Sequence, residues 1–359
     1  MPLSAIQLFS ILFLLLMQVN CSPIPSADCA SSGFSWESFP PIPDSTGFAG
    51  SFAGISNDVL LVAGGANFPN GGTPWNGGKK TWYQTIFAFD KKEREWIKAG
   101  LLPEPLGYGV SISTRDGLLL IGGSNENGHV ATVIRLRYKN GEIELDSLPS
   151  LPMSLANTCG ALVDQTIYVA GGLNAPDSKQ TSNAFYFLNL NRLQEGWKEG
   201  PAWPGPSRML AVAGASQNSF YLFSGTELIN GERNYLKDAY VYSEQEGWKT
   251  LAALPGPVVA APSPAWYEKE RGFFIFGGDD GALAAKAATL KEQHPGFSKD
   301  IIFYDIDRAS WEKTGKLSSK APVTTSLVSW DSKLFFPGGE VSPGIRTPHV
   351  LVARPCTNH

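Results

Sequence analysis

Four cysteines and four histidines are all that this 359-residue chain offers of the side chains that most often hold metals. The histidines, His129, His294, His349 and His359, are scattered, and no cysteine pair has zinc spacing, so neither a metal nor a cofactor is expected. Charge is thin too. Only 17% of residues are charged, the net charge is −4 and the Lys and Arg are dispersed, which excludes the basic footprint of a nucleic-acid or anionic-membrane binder. There is no low-complexity tract and no Pro/Gly/Ser-rich linker. The one long apolar run, Ile6 to Val19, is broken by Gln7, Ser10 and Gln18. It is shorter than the roughly 20 residues that span a bilayer, and nothing later resembles a membrane span. Followed by Cys21-Ser22-Pro23, it reads as a secretory signal over residues 1–22, although its start has no Lys or Arg. Gln18-Val19-Asn20 lacks the small residues of a lipoprotein signal, so simple cleavage and an exported, periplasmic or secreted product are expected.

Glycine and proline are plentiful, at 38 and 26, and the glycines are ordered. Doublets at Gly64-Gly65, Gly122-Gly123, Gly171-Gly172, Gly277-Gly278 and Gly338-Gly339 each end an apolar strand, and Ser224-Gly225 fills the gap in the series. The spacing stays near the roughly 50 residues of a kelch-type blade. Most repeats carry a later tryptophan: Trp96, Trp197, Trp248 and Trp311. Six such repeats predict an all-β, six-bladed kelch-type β-propeller, one domain over 29–359. The last repeat runs out after Val350 to Ala353, before any tryptophan strand, while Phe34 to Phe39 is a tryptophan strand without a blade. Joining the two closes the ring and removes both exposed edges. Cys29 and Cys356 then flank the closure, where an exported protein can hold a disulfide; two unpaired thiols are the plainer alternative. Cys159 lies in an apolar strand and is expected in the core.

Consecutive strands of a blade are antiparallel, so the turn after each doublet opens on the face reached by the links between blades. That face collects Asn67, Asn125, Glu126, Asn174, Thr226, Glu227, Asp279, Asp280 and Glu340, and the links bring Tyr108 and Arg208 towards the axis. Asn67, Glu227 and Arg208 are candidate substrate-binding residues. In the last repeat, Ser342-Pro343-Gly344 has the composition of a tight turn, which returns Arg346 to the side of Glu340. A carboxylate and a guanidinium converging on one ligand suit acid/base chemistry on an anion. A surface carboxylate paired with its neighbour is the bland alternative. Asp279 and Asp280 are rival acids. Two long loops, 66–82 and 281–299, emerge on the same face, the second with an alanine-rich stretch fit for a short helical cover or a tolerated insertion. Gly78-Lys79 fails as a phosphate loop, with Thr73 and Lys80 where Gly and Ser or Thr belong. No Gly-x-Ser-x-Gly elbow and no Ser-x-Asp-x-Gly-x-Thr-Trp box occurs.

The segment Phe336-Pro-Gly-Gly-Glu-Val-Ser-Pro-Gly-Ile-Arg-Thr resembles the Asn-Gly-Glu...Gly-Leu-Arg-Thr segment of the N-acetylneuraminate epimerase family, the sialic acid mutarotases. Gly50 to Asp58 with Ala63 to Ala66, and Tyr108 to Ser111 with Leu120 to Gly123, are similar to stretches nearer that family's C-terminus. The order is rotated around the ring, as in cyclically permuted members. The resemblance implies that Glu340 and Arg346 match the catalytic pair, and that Arg208 matches an arginine of a Gly-Pro-Arg type segment. One departure is Leu106-Gly107 before Tyr108, where the family can carry an arginine. The activity implied is an isomerase, a mutarotase interconverting anomers of an acidic sugar, N-acetylneuraminate first. A non-catalytic kelch module binding a glycan or protein at its mouth is the alternative, and a glycosidase, which in most families needs two carboxylates, comes third.

Overall fold

The computed structural model describes residues 33–356. The apolar run 6–19, Cys21 and Cys29 lie outside the described residues. Cys356 is disulfide-bonded, while its expected pairing with Cys29 falls on a residue not described.

Six four-stranded antiparallel sheets stand around one axis. In the first blade the strands from axis to rim are Phe52–Ser56, Val59–Ala63, Thr85–Asp90 and Glu95–Leu101. The second strand of each blade, such as Val59–Ala63 or Gly272–Phe276, is apolar at nearly every position rather than at alternate ones. Blades pack face to face, so a strand in mid-blade is buried on both sides and no polar face is needed. Outer strands such as Glu95–Leu101 mix exposed and half-buried positions because one face meets water.

The sixth sheet is assembled from both chain ends. Its order is Val328–Trp330, Lys333–Pro337, Val350–Pro355 and then Phe34–Phe39 at the rim. Phe34 pairs with Pro355 and Phe39 with Val350. The orphan tryptophan strand thus completes the last blade, as its sequence predicts. Four blades are also latched to the blade before them by the outer tryptophan. Trp96, Trp197, Trp248 and Trp311 donate Nε1–H to the carbonyls of Pro40, Pro149, Pro201 and Ala252 at 2.7–2.9 Å.

Near the axis the six links meet in a closed ring of backbone hydrogen bonds. The N–H of Tyr108 donates to Gly50, Asn157 to Tyr108, Leu210 to Asn157, Ala260 to Leu210, Thr324 to Ala260 and Gly50 to Thr324, at 2.7–2.8 Å. All six residues have left-handed φ, between 51° and 65°. A Cβ on Gly50 would come within 2.6 Å of the Tyr108 ring, so only glycine fits beneath that aromatic plate. The residue before each ring member pairs with the residue after each doublet: Ala49 with Ala66, Gly107 with Ser124, Ala156 with Leu173, Met209 with Thr226, Val259 with Asp279, Val323 with Glu340. The doublets are what permit this. Gly339, at φ 101°, would place a Cβ 2.8 Å from the Val323 carbonyl. In blade four, Ser224 adopts φ 53° in a glycine's place. Its buried hydroxyl donates to Leu236 O and accepts from Val258 N, both at 2.8 Å, which holds the strained turn.

Candidate active site

Above the ring lies a cavity of about 540 Å³ whose floor includes Tyr108, Asn157, Leu210, Ala260 and Thr324. Glu340 and Arg346 are on its wall. They face each other across a short antiparallel pair, Glu340–Ser342 with Ile345–Arg346, turned at Pro343-Gly344. Arg346 Nη1 lies 2.9 Å from Glu340 Oε2, and the two side chains are 6% and 19% exposed. The approach is off the N–H direction, so Nη1, like Nε, has no hydrogen-bond acceptor although both are buried. The guanidinium is stacked on the Phe68 ring, 4.7 Å from its centroid. Glu340 Oε1 accepts from the backbone N–H of Gly344 at 3.2 Å. The sequence reading of a converging pair thus holds in geometry, and an arginine with open donors is turned to the cavity.

The same place in other blades carries functional types that sequence reasoning passed over. Opposite the residue after the doublet stand Trp82 across from Ala66, His129 across from Ser124, Tyr235 across from Thr226 and Arg346 across from Glu340. The signal was present: it is the residue that returns opposite the doublet's successor. Lys80 Nζ sits 3.9 Å from the Tyr108 ring centroid and 4.7 Å from that of Trp82. Trp82 Nε1, Tyr108 Oη and both His129 ring nitrogens are buried without a well-formed hydrogen bond. Burial lowers the His129 pKa, a contact with the Gly128 backbone partly offsets this, and the Lys80 charge lowers it further. Tyr235 donates to Asp279 Oδ2 at 2.7 Å, and its hydroxyl is pushed up to about 12, first by burial and then by that bond. Asp279 Oδ1 accepts from Gly281 N at 3.0 Å, so both oxygens of this rival acid are engaged. Asp280 is exposed and off the cavity.

Three cations, Lys80, Arg233 and Arg346, line the cavity against two carboxylates, Asp279 and Glu340. The balance favours an anionic guest. Among the described residues no group of His, Cys, Asp and Glu is placed to hold a metal. The two long loops meet over the mouth. Trp75 Nε1 donates to Glu292 Oε1 at 2.5 Å, and Ala284 and Ala287 line the cavity. The alanine-rich stretch is three short turns, Ala284–Lys286, Ala287–Leu290 and Lys291–Gln293, rather than one helix.

Three expected substrate-binding residues are corrected. Arg208 is fully buried away from the cavity, and its guanidinium makes five hydrogen bonds, to Asp238, Ser224 O and Pro206 O. Leu210, two residues on, takes the axial place instead. Asn67 is 1% exposed, donating to Gly47 O at 2.9 Å and accepting from Tyr83 Oη at 2.8 Å, which ties a loop rather than a ligand. Glu227 points along the outside of the 226–235 hairpin, accepting from Asn234 Nδ2 at 3.4 Å, and does not line the cavity. Lys80 is the lysine at the mouth. Cys159 is buried as expected, and burial pushes its thiol up to about 12.

Fold and site together define a six-bladed propeller enzyme scaffold with an acid and a cation at its axial mouth. Residues 20–145 and 148–287 match the family model described as N-acetylneuraminate epimerase, so the chain belongs to that family, whose members are carbohydrate isomerases by name. It is 44% identical over 110 residues to the N-acetylneuraminate epimerase of Yersinia enterocolitica, covering 28% of this chain and 27% of that one. Against the Haemophilus influenzae enzyme of the same name it is 32% identical over 220 residues, covering 55% and 57%. The matched stretches therefore span from about a quarter to just over half of these relatives' length. The solved structure of YjhT shares the fold, with TM-score 0.64 at 17% identity, covering 88% of this chain and 96% of that one. Glu340 and Arg346 lie beyond the family-matched residues, so their roles rest on the geometry above.

Proposed function

We propose that this protein is a mutarotase for an acidic sugar, N-acetylneuraminate first, with Glu340 exchanging the proton and Arg346 gripping the sugar carboxylate. The observation that carries this reading is the Glu340–Arg346 pair on the cavity wall, with Nε and Nη1 of Arg346 buried and lacking a hydrogen-bond acceptor. Glu340 takes the proton of the anomeric hydroxyl; its electron pair forms the carbonyl as the bond to the ring oxygen breaks, and water protonates that oxygen. The carbonyl turns, the hydroxyl adds to its other face as its proton returns to the hydroxide that water left, and Glu340 gives its proton back to the new anomeric oxygen. One exchanging carboxylate suffices, whereas hydrolysis in most glycosidase families needs two flanking ones. A planar guanidinium at the cavity wall suits a carboxylate. The relatives' names support the substrate class. Export from the cell is likewise proposed, from the apolar run at 6–19, and N-terminal sequencing of protein recovered from outside the cytoplasm tests it.

The test is NMR of freshly released N-acetylneuraminate as its anomers equilibrate. The parent protein should speed equilibration, and Glu340→Gln should lose about 10²-fold or more of that acceleration while still binding the sugar. Acceleration equal to the parent's in Glu340→Gln would refute the assignment. Sugar binding with no acceleration by the parent would leave a non-catalytic glycan-binding propeller instead.

A further inference from the structure

The tryptophan latch that joins blades at the rim is missing at two junctions: the second blade's outer strand, Glu142–Leu148, has no tryptophan, and in the closing blade the tryptophan is present but unlatched. Trp36 occupies in the closing blade the place that Trp96, Trp197, Trp248 and Trp311 occupy in theirs, yet its Nε1 is buried with no acceptor. Between it and the link that leaves the fifth blade, Ser318-Ser319-Lys320, a cavity of about 680 Å³ opens. Arg346 borders this flank cavity as well as the mouth. The walls are apolar, with Phe336, Val341 and Leu351. The polar complement is rich in donors: Trp36 N–H, the Arg346 guanidinium and Lys320. The one carboxylate, Glu37, is already taken, by Lys333 Nζ at 2.6 Å on one oxygen and Arg354 Nε at 3.0 Å on the other. Buried donors without acceptors are costly and rare, and here two side chains at the same cavity carry them.

We propose that the flank cavity is a second binding site, for a small organic carboxylate with an apolar body, whose oxygens accept from Trp36 Nε1 and Arg346 while its body lies against Phe336 and Leu351. The proposal does not depend on what binds at the mouth. Because one guanidinium borders both cavities, occupancy of the flank changes the affinity of the mouth for an anion, and the reverse by the same factor.

Calorimetric titration of the full chain with phenylacetate tests this, with phenylacetamide as the neutral control. Saturable binding is expected, about tenfold weaker for the amide and about tenfold weaker in Trp36→Phe, each change removing a charge-assisted hydrogen bond. Ser319→Trp, on the exposed link, should fill the cavity and abolish binding. Leu173→Trp narrows the mouth instead and should leave binding unchanged. Circular dichroism melts check that each variant is folded. No saturable binding to the parent overturns the proposal, and so does binding that Leu173→Trp removes while Trp36→Phe and Ser319→Trp leave it intact.

Discussion

Two buried arginines, each beside a carboxylate, separate structure from function in this propeller. Arg208, in the fourth blade's link, spends its guanidinium on Asp238, Ser224 O and Pro206 O, between the rings of Trp203 and Tyr240. Arg346, in the sixth blade, meets Glu340 at 2.9 Å but leaves Nε and Nη1 without acceptors. Burial and a nearby acid are common to both, so neither property marks a site. What differs is whether the donors are spent. A saturated cation holds the fold, while an unsaturated one at a cavity wall waits for an acceptor from outside.

The sharpest way to break that contrast is to remove each arginine. Arg208→Met should cost about 3–5 kcal/mol of stability, because Asp238 and two carbonyls lose their partner in the interior. Urea unfolding measures it. Arg346→Met should change stability by no more than about 1 kcal/mol, since few satisfied bonds are lost. An equal, large loss in both variants would erase the distinction. A smaller effect is expected from Arg346→Lys, which keeps the charge and loses the fork. Affinity for an acidic sugar should fall about tenfold, with a neutral analogue little affected. Calorimetry with N-acetylneuraminate and its methyl ester reads the difference.

The Arg208 pair also has a pH signature. Burial alone would raise the Asp238 pKa, but hydrogen bonds and charge from Arg208 outweigh it and hold the carboxyl below its ordinary 3.8. A carboxyl depressed in the folded state binds its proton more readily when unfolded. Its contribution is therefore complete above pH 3.8 and lost as pH falls through the lower folded value. Asp238→Asn should be less stable than the parent at neutral pH, and the gap should narrow only at the acid end. A gap that widens on acidification would contradict the pairing.

Much of this was legible before any coordinates. The doublets announced the blades because their glycines are required by the close approach of neighbouring links, and the orphan strand at Phe34 to Phe39 announced the closure because the last repeat was one strand short of a blade. Glu340 and Arg346 were legible because a tight turn fixes their register. Arg208 misled because parity says which end of a blade a link reaches, but not which way a side chain turns once there. Leu210 rather than Arg208 entered the axial ring, a choice settled by the left-handed φ at position 210. Lys80 and His129 were missed for a related reason. Lys80 sits in a long loop of undetermined register, and His129 returns on a strand whose pairing shifts between Val130 and Val133.

The smallest effect concerns the cover over the mouth, and it separates a lid from a passive insertion. The loops 66–82 and 281–299 arise from different blades, and Trp75 Nε1 donates to Glu292 Oε1 across their junction. That N–H holds the Glu292 carboxyl below its ordinary value, with the Glu292 backbone adding to the effect. The contact is thus intact at neutral pH and weakens as pH falls through the lowered pKa. If the loops act as a cover that must order over a bound sugar, Trp75→Phe removes a bond that helps the covered state. KM should then rise a few-fold, with the fold's melting temperature unchanged because the bond itself is solvent-exposed. Glu292→Gln retains an acceptor for the indole and should recover part of the parent KM when compared with Glu292→Ala. Equal KM values in Trp75→Phe, Glu292→Ala and the parent would mean that the junction is a surface contact, and that the mouth works uncovered.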